Sequence, residues 1–312
     1  MSASTDSAGR LTAAPRPAAR PRRVSKTAKG RVNTAALLVL PALVMLSVTF
    51  FYPVGKIIGR TFTDHTGTQG NALANLQWFF NEPTQITILI RTFETSLIVS
   101  VICLLIAYPF TYLLTVVSRR WLVLLLGIVV MSCWQSILVR NYAWRILLRD
   151  DGVINGIVTF FGFPKVSLLG TTPGVIIAMC HVMTPFMILP LYANLRNIDR
   201  RLLTASRSLG AGPTTTFFKV YLPLSLPGIM SGTLLVFILS LGFYITPAII
   251  GSPDNSLISQ AIVAQTQKLL DWGHAGAMGL VLLACTLVLV AAVATLTRRR
   301  LERVGMGAGG RL

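Results

Sequence analysis

Six long windows of this sequence contain no Asp, Glu, Lys or Arg: residues 32–55, 95–118, 121–139, 166–195, 220–253 and 272–297. A helix needs about 20 apolar residues to cross the hydrocarbon of a bilayer, and every backbone amide there must be satisfied internally. The windows therefore predict an all-α polytopic membrane protein with six transmembrane helices, at 34–55, 95–117, 121–139, 174–195, 226–248 and 276–297. Two further charge-free stretches, 152–164 and 255–267, are 13 residues each, which suits re-entrant or interfacial segments. Composition agrees, since charged residues make up only 12% of the 312, against roughly 25% in soluble domains. A soluble fold could not cover so much apolar surface with so few charges, and disorder would require low hydrophobicity.

Charge then sets the orientation. With six spans, residues 1–33, 118–120, 196–219 and 298–312 lie on one side and hold 8, 2, 5 and 5 Lys+Arg, or 20 of the 28. Only 3 of the 10 acidic residues (Asp6, Asp199 and Glu302) share that side. By the positive-inside rule both termini are expected in the cytoplasm, and the net charge of +18 is mostly a topology signal. Residues 1–33, rich in Ala, Pro, Ser and Arg, are expected to be disordered and drawn to anionic lipid rather than to nucleic acid. A signal peptide would have a shorter apolar stretch ending at a small-residue cleavage site, whereas 34–55 is long enough to span.

Enzymatic chemistry finds little support. The cysteines (Cys103, Cys133, Cys180 and Cys285) all lie in apolar runs without metal-ligand or redox spacing, and read as small apolar fillers. The three histidines (His65, His181 and His274) fall in separate segments, and neither HExxH nor GxSxG occurs. No catalytic residue, metal site or bound cofactor is expected. A secondary transporter usually shows inverted internal repeats, and no convincing repeat is present.

The stretch RNIDRRLLTASRSLGAGPTTTFFKVYLPLSLPG, 196–228, carries helical grammar on the basic side. Asp199 suits the N-cap of a helix beginning at Arg200. Ile198, Leu202, Ala205 and Leu209 repeat on one face, while Arg200, Arg201, Thr204, Arg207 and Ser208 face elsewhere. Gly210 suits the left-handed residue that ends a helix, and Gly212-Pro213 permits a second one. Phe217, Phe218, Val220 and Tyr221 make the second piece amphipathic, and Pro223 and Pro227 are expected to break the backbone as it re-enters the membrane. A helix–turn–helix of this kind either docks a soluble partner or rests on lipid.

This loop resembles that of the inner-membrane permeases of binding-protein-dependent ABC importers. Their pattern is a Glu-Ala-Ala triplet, a glycine a few residues later, then hydrophobic-Leu-Pro. The matching residues are Thr204-Ala205-Ser206, Gly210 and Leu222-Pro223, with Arg207, Leu209 and Ala211 also family-like. Thr204 departs from the usual acidic residue, which removes a charged contact at that position. NYAWRILLRDDGVIN (141–155), ITPAIIGSP (245–253) and DWGHAGAM (271–278) are similar to segments of spermidine/putrescine-type permeases.

The resemblance implies a type I permease core over 92–297, with a coupling loop at 196–221. A first transmembrane helix (34–59) and an extracytoplasmic loop (60–91) would precede it, and a cytoplasmic tail (298–312) would follow. It implies a second, related permease chain, a solute-binding protein outside, and ABC ATPase subunits carrying ATP and Mg, since this sequence has no GxxxxGK[ST] loop. The expected solute is a polyamine or a similar organic cation, carried by an ATP-driven importer in a bacterial inner membrane. Polar and aromatic residues at membrane depth mark a candidate path: Gln135, Asn141, Tyr142, Trp144, His181 and Tyr244. Arg140 is expected to snorkel to the outer interface, and Glu94 to pair with Arg91.

Overall fold

The computed structural model describes residues 34–63 and 73–303, all its regular elements there being helical. The expected tail at 1–33 and the end of the one at 298–312 lie outside the described residues. The chain divides into two compact units, Met1–Tyr52 and Pro53–Leu312. In the first, the described part of α1 (Thr34–Thr63) exposes its large apolar side chains, among them Val44, Met45, Phe50 and Phe51. A helix so apolar and so unpacked is suited to lipid contact.

In the second unit, α2 (Ala74–Asn81) precedes α3 (Pro83–Val116), a 34-residue helix. The described part of the expected loop at 60–91 is thus largely helical, and α3 begins well before residue 95. Pro83 starts α3 because proline is pre-set for a first helical turn. Then come α4 (Arg119–Trp134), α5 (Ile137–Leu147), α6 (Val153–Phe160) and α7 (Thr172–Leu195). Next are α8 (Arg200–Ser208), α9 (Pro213–Thr216), α10 (Leu222–Leu241), α11 (Ile245–Ile250), α12 (Ile258–Ala264) and α13 (Trp272–Arg303).

Five of these stretches are long and apolar enough to span: Val39–Thr63, Pro83–Val116, Thr172–Leu195, Pro213–Leu241 and Trp272–Thr295. The third expected span is not straight. α4 stops at Trp134 and α5 resumes at Ile137, bent by 96°. The freed carbonyl is satisfied from within, because the Arg140 guanidinium donates to the Ser132 carbonyl and, from Nε, to Gln135 Oε1 at 3.3 Å. Arg140 is only 6% exposed, so it braces the bend rather than snorkelling. The fifth span also differs, ending at Leu241 before Gly242 rather than running on to 248. Nor do Pro223 and Pro227 break it. A π-helical turn over Phe217–Tyr221 precedes Pro223 and the helix continues to Leu241. Proline has no N–H to donate and its ring crowds the preceding turn; a locally widened turn accommodates both.

The core is made by α3, α7 and α10, with Val99, Cys103, Ala107, Met179, Met183, Met187, Leu191 and Val236 buried. Small residues let the helices touch, as lipid-embedded packing requires. A Cβ on Gly228 would lie 2.6 Å from Asn194 Cβ, and one on Gly232 would lie 2.8 Å from Met187 Sδ. Two of the cysteines do more than fill space: Cys103 Sγ–H points to the Cys180 carbonyl at 3.6 Å and Cys180 Sγ–H to that of Val99 at 3.9 Å, across α3 and α7. Tyr108 Oη and Ser225 Oγ, 3.0 Å apart, join α3 to α10.

A second cluster (Phe79, Ile258, Met278 and Val281) joins α2, α12 and α13. Asn75 Nδ2–H donates to the Thr61 carbonyl at 2.8 Å, tying α2 to α1. Arg91 does not pair with Glu94. Its guanidinium donates to the Asp254 carbonyl at 2.5 Å and reaches that of Ser256 at 3.5 Å, and Thr92 Oγ1 accepts the Ile258 N–H at 2.9 Å.

Gly228→Ala should destabilise the solubilised protein by about 1–3 kcal/mol, because Asn194 Cβ cannot rotate away. Gly279→Ala, with nothing within 4 Å of the added carbon, should be neutral or stabilising by up to about 1 kcal/mol. Melting curves in detergent check both.

Candidate functional site

The basic loop folds as an elbow between the last turn of α7 and the first of α10. Asp199 Oδ1 accepts the Arg201 N–H at 2.9 Å, the expected N-cap of α8. The helix ends at Gly210, whose φ of +87° only glycine adopts without strain. The Ala211 N–H returns to the Ser206 carbonyl at 3.2 Å, closing the last turn. Ser206 Oγ and Thr216 Oγ1, 3.2 Å apart, fasten α8 to α9.

α8 buries none of its residues, and its polar and its apolar side chains both remain largely exposed. Arg200, Leu203, Thr204 and Arg207, spaced i, i+3, i+4 and i+7, line a cavity of about 570 Å3 beneath it. The Arg200 guanidinium donates to the Thr115 carbonyl at the end of α3, which anchors this polar stripe. Leu202, Ala205 and Leu209 point away, with Leu209 89% exposed. Ile198 leaves the expected apolar row and packs on the core instead. Thr204 Oγ1–H donates back to the Arg200 carbonyl at 3.3 Å. Leu222 and Pro223, half-buried, lie within the continuous helix rather than in the exposed turn.

The candidate path residues are only partly gathered. Trp144 Nε1–H on α5 donates to His181 Nδ1 on α7 at 3.0 Å, with ring centroids 5.7 Å apart. The pair edges a cavity of about 410 Å3 whose other walls include Ile102, Ile106, Ile177 and Thr184. Asn141 is fully buried and donates to the Ile137 carbonyl at 2.8 Å, inside its own helix. Gln135 sits at the α4–α5 bend, and Tyr142 is 55% exposed. Tyr244 stands apart, at a cavity of about 350 Å3 with Ser252, Gln260 and Lys268. The segments 141–155 and 245–253, separate in sequence, do meet, since α11 packs on α5.

Several organising residues escape a reading by composition. Asn155, 2% exposed, holds the 149–166 turn: its Nδ2–H donates to the Val166 and Arg149 carbonyls at 2.9 and 3.2 Å, and its Oδ1 accepts the Val166 N–H at 2.9 Å. Asp271 caps α13 by accepting the His274 N–H at 2.9 Å, and its other oxygen lies 2.7 Å from His274 Nδ1. The His274 ring in turn stacks on Trp78, centroids 3.7 Å apart. An asparagine inside the otherwise apolar α6, and an aspartate just ahead of a long apolar run, are the signals that could have found them.

Several helices long and apolar enough to span, joined through a basic elbow, mark a multi-pass membrane protein. Residues 18–303 match the model of the binding-protein-dependent transport system inner membrane component family, and the chain belongs to that family. The chain is 32% identical over 260 residues to the spermidine/putrescine transport system permease protein PotB of Haemophilus influenzae, covering 81% of this chain and 87% of that one. It is also 32% identical over 236 residues to the inner membrane ABC transporter permease protein YdcU of Escherichia coli, covering 70% and 75%. Among solved structures, a bacterial alginate ABC transporter in complex with an alginate pentasaccharide-bound periplasmic protein has a chain of the same fold. Its TM-score is 0.69 at 17% identity, over 85% of this chain and 94% of that one.

Asn155→Ala leaves the Val166 N–H and two carbonyls without their partner, a local cost of about 1–3 kcal/mol. Hydrogen exchange at the Val166 amide should accelerate, while Asn197→Ala, which loses only an exposed bond within one turn, should leave that amide unchanged.

Proposed function

We propose that this chain is one of two permease subunits in an ATP-driven importer of a polyamine or similar small organic cation. The observation that carries the coupling part is the exposed apolar stripe of α8: Leu202, Ala205 and Leu209. Apolar side chains turned outward on a polar helix suit a groove in a partner. The partner would be an ABC ATPase, which holds ATP and Mg and performs the hydrolysis. This chain supplies no catalytic group. Both termini and the elbow would face the cytoplasm, in keeping with the 20 of 28 basic residues assigned to that side. A solute-binding protein would dock on the opposite face, in keeping with the family's description.

The elbow is continuous with α7 at one end and α10 at the other, and those two helices touch at Gly228 and Gly232. Closure of the ATPases would move the elbow, and the α7–α10 pair would follow as one body, switching the pore between inward- and outward-facing states. Ala205 and Leu209 form the coupling surface and Gly210 and Ala211 its turn, Thr204, Ser206 and Arg207 support it from the inner side, and Leu222 and Pro223 are the stiff start of the helix it drives. The solute class rests on the likeness to PotB. The path would pass Trp144 and His181, with Gln135, Asn141, Tyr142 and Tyr244 as further candidates. The second permease is expected to be a related but different chain.

Leu209→Asp and Gly210→Arg test the elbow. Each should cut ATP-dependent uptake at least about tenfold and lose the ATPase on co-purification, with membrane levels of the chain unchanged. A desolvated apolar anchor at such a contact typically contributes more than about 1–2 kcal/mol. Normal uptake by both variants would remove the coupling role.

A further inference from the structure

We propose that the cavity beneath α8 is a binding site for the phosphate-bearing headgroup of an anionic phospholipid. The cavity, about 570 Å3, lies where α3 and α7 end and α4 begins, roofed by the inward stripe of α8. That volume falls within the usual range of small-molecule sites, about 300–1,000 Å3. Among the described residues four arginines line it, Arg119, Arg196, Arg200 and Arg207, and no Asp or Glu does. Arg200 is engaged with the Thr115 carbonyl. The side chains of Arg119, Arg196 and Arg207 have no hydrogen-bond or ion-pair partner among the described residues. The neighbouring carboxylate, Asp199, caps α8 outside the lining.

Four like charges in one concavity repel, and an anion with several acceptor oxygens relieves them through charge-assisted bonds. The start of α4 adds to the attraction. Arg119 is its first residue, and Ser118 makes no side-chain bond to the first-turn amides. Free amides at a helix start favour an anion. The walls are firm, with the Tyr112 and Tyr221 rings packed edge to face at 5.2 Å.

The surroundings select lipid over a soluble anion. Immediately beyond Arg119, α4 exposes Trp121, Val123, Leu124 and Ile128, at 60%, 65%, 52% and 59%. This apolar strip leads away from the cavity along a helix that, in the six-span arrangement, would start at the membrane surface. It offers acyl chains a course while the phosphate sits among the guanidinium groups, and Trp121 would lie at the interfacial level that indoles favour. A free phosphate would have no use for that strip.

The test uses the full chain purified with its partner subunits into nanodiscs of phosphatidylcholine and phosphatidylglycerol, with retained lipid counted by native mass spectrometry. Phosphatidylglycerol should be retained about tenfold over phosphatidylcholine. Arg119→Gln combined with Arg196→Gln should abolish that preference, whereas Arg201→Gln, which removes a charge from the exposed side of α8, should not. Thr204→Glu places a carboxylate in the cavity without deleting an arginine and should lower the preference too, which keeps the test decisive if the double variant folds poorly. Equal retention of the two lipids would overturn the proposal. So would equal loss in Arg201→Gln, which signals diffuse attraction, or full displacement by millimolar inorganic phosphate, which assigns the site to a soluble anion. Loss of the ATPase from the double variant with phosphatidylglycerol retained would assign the arginines to a protein partner and overturn it as well.

Discussion

The close approach of α10 to α7 is the contact on which the rest of the molecule depends. In hydrocarbon, apolar side chains gain nothing by leaving lipid for one another, so helices associate through tight packing and buried polar contacts. Gly228 against Asn194 and Gly232 against Met187 provide the first. Tyr108 with Ser225 and the Cys103–Cys180 pair extend the contact to α3. Because these contacts have no room to spare, the three helices are expected to respond to a push as one body, not by sliding past each other.

The elbow is attached to that body at both ends, and one side of it carries the exposed apolar residues proposed to meet a partner. Its polar stripe is held inward by Arg200 on Thr115, which leaves Leu202, Ala205 and Leu209 outward. The two proposed roles therefore fall on different sides of one nine-residue helix. The outward face suits a protein, and the inward face, with its unpaired guanidinium groups, suits an anion.

Much of this was legible in the sequence, because the strongest signals there are local. Charge-free windows mark spans, and the Asp199 cap and Gly210 turn bound α8 where expected. What depends on tertiary context was harder to read. The 96° bend after Trp134 contains no proline or glycine, and is visible only once Arg140 is seen reaching back to Ser132 and Gln135. Pro223 read as a break because a π turn that absorbs it leaves no mark in residue type. Of the candidate path residues, Trp144 and His181 meet because α5 folds back onto α7, and no spacing along the chain announces that. Tyr244 was a reasonable candidate by type but lines a different cavity.

The central claim is that the exposed face of α8 looks into the cytoplasm, where an ATPase can hold it. Ser208, exposed at the end of that helix, is the position to probe. With Ser208→Cys, labelling by a membrane-impermeant maleimide is compared with that of the unsubstituted chain and its four cysteines. Intact cells should give no added labelling, inverted membrane vesicles should label strongly, and bound ATPase should protect the site. Added labelling on intact cells would place the elbow outside and contradict the account.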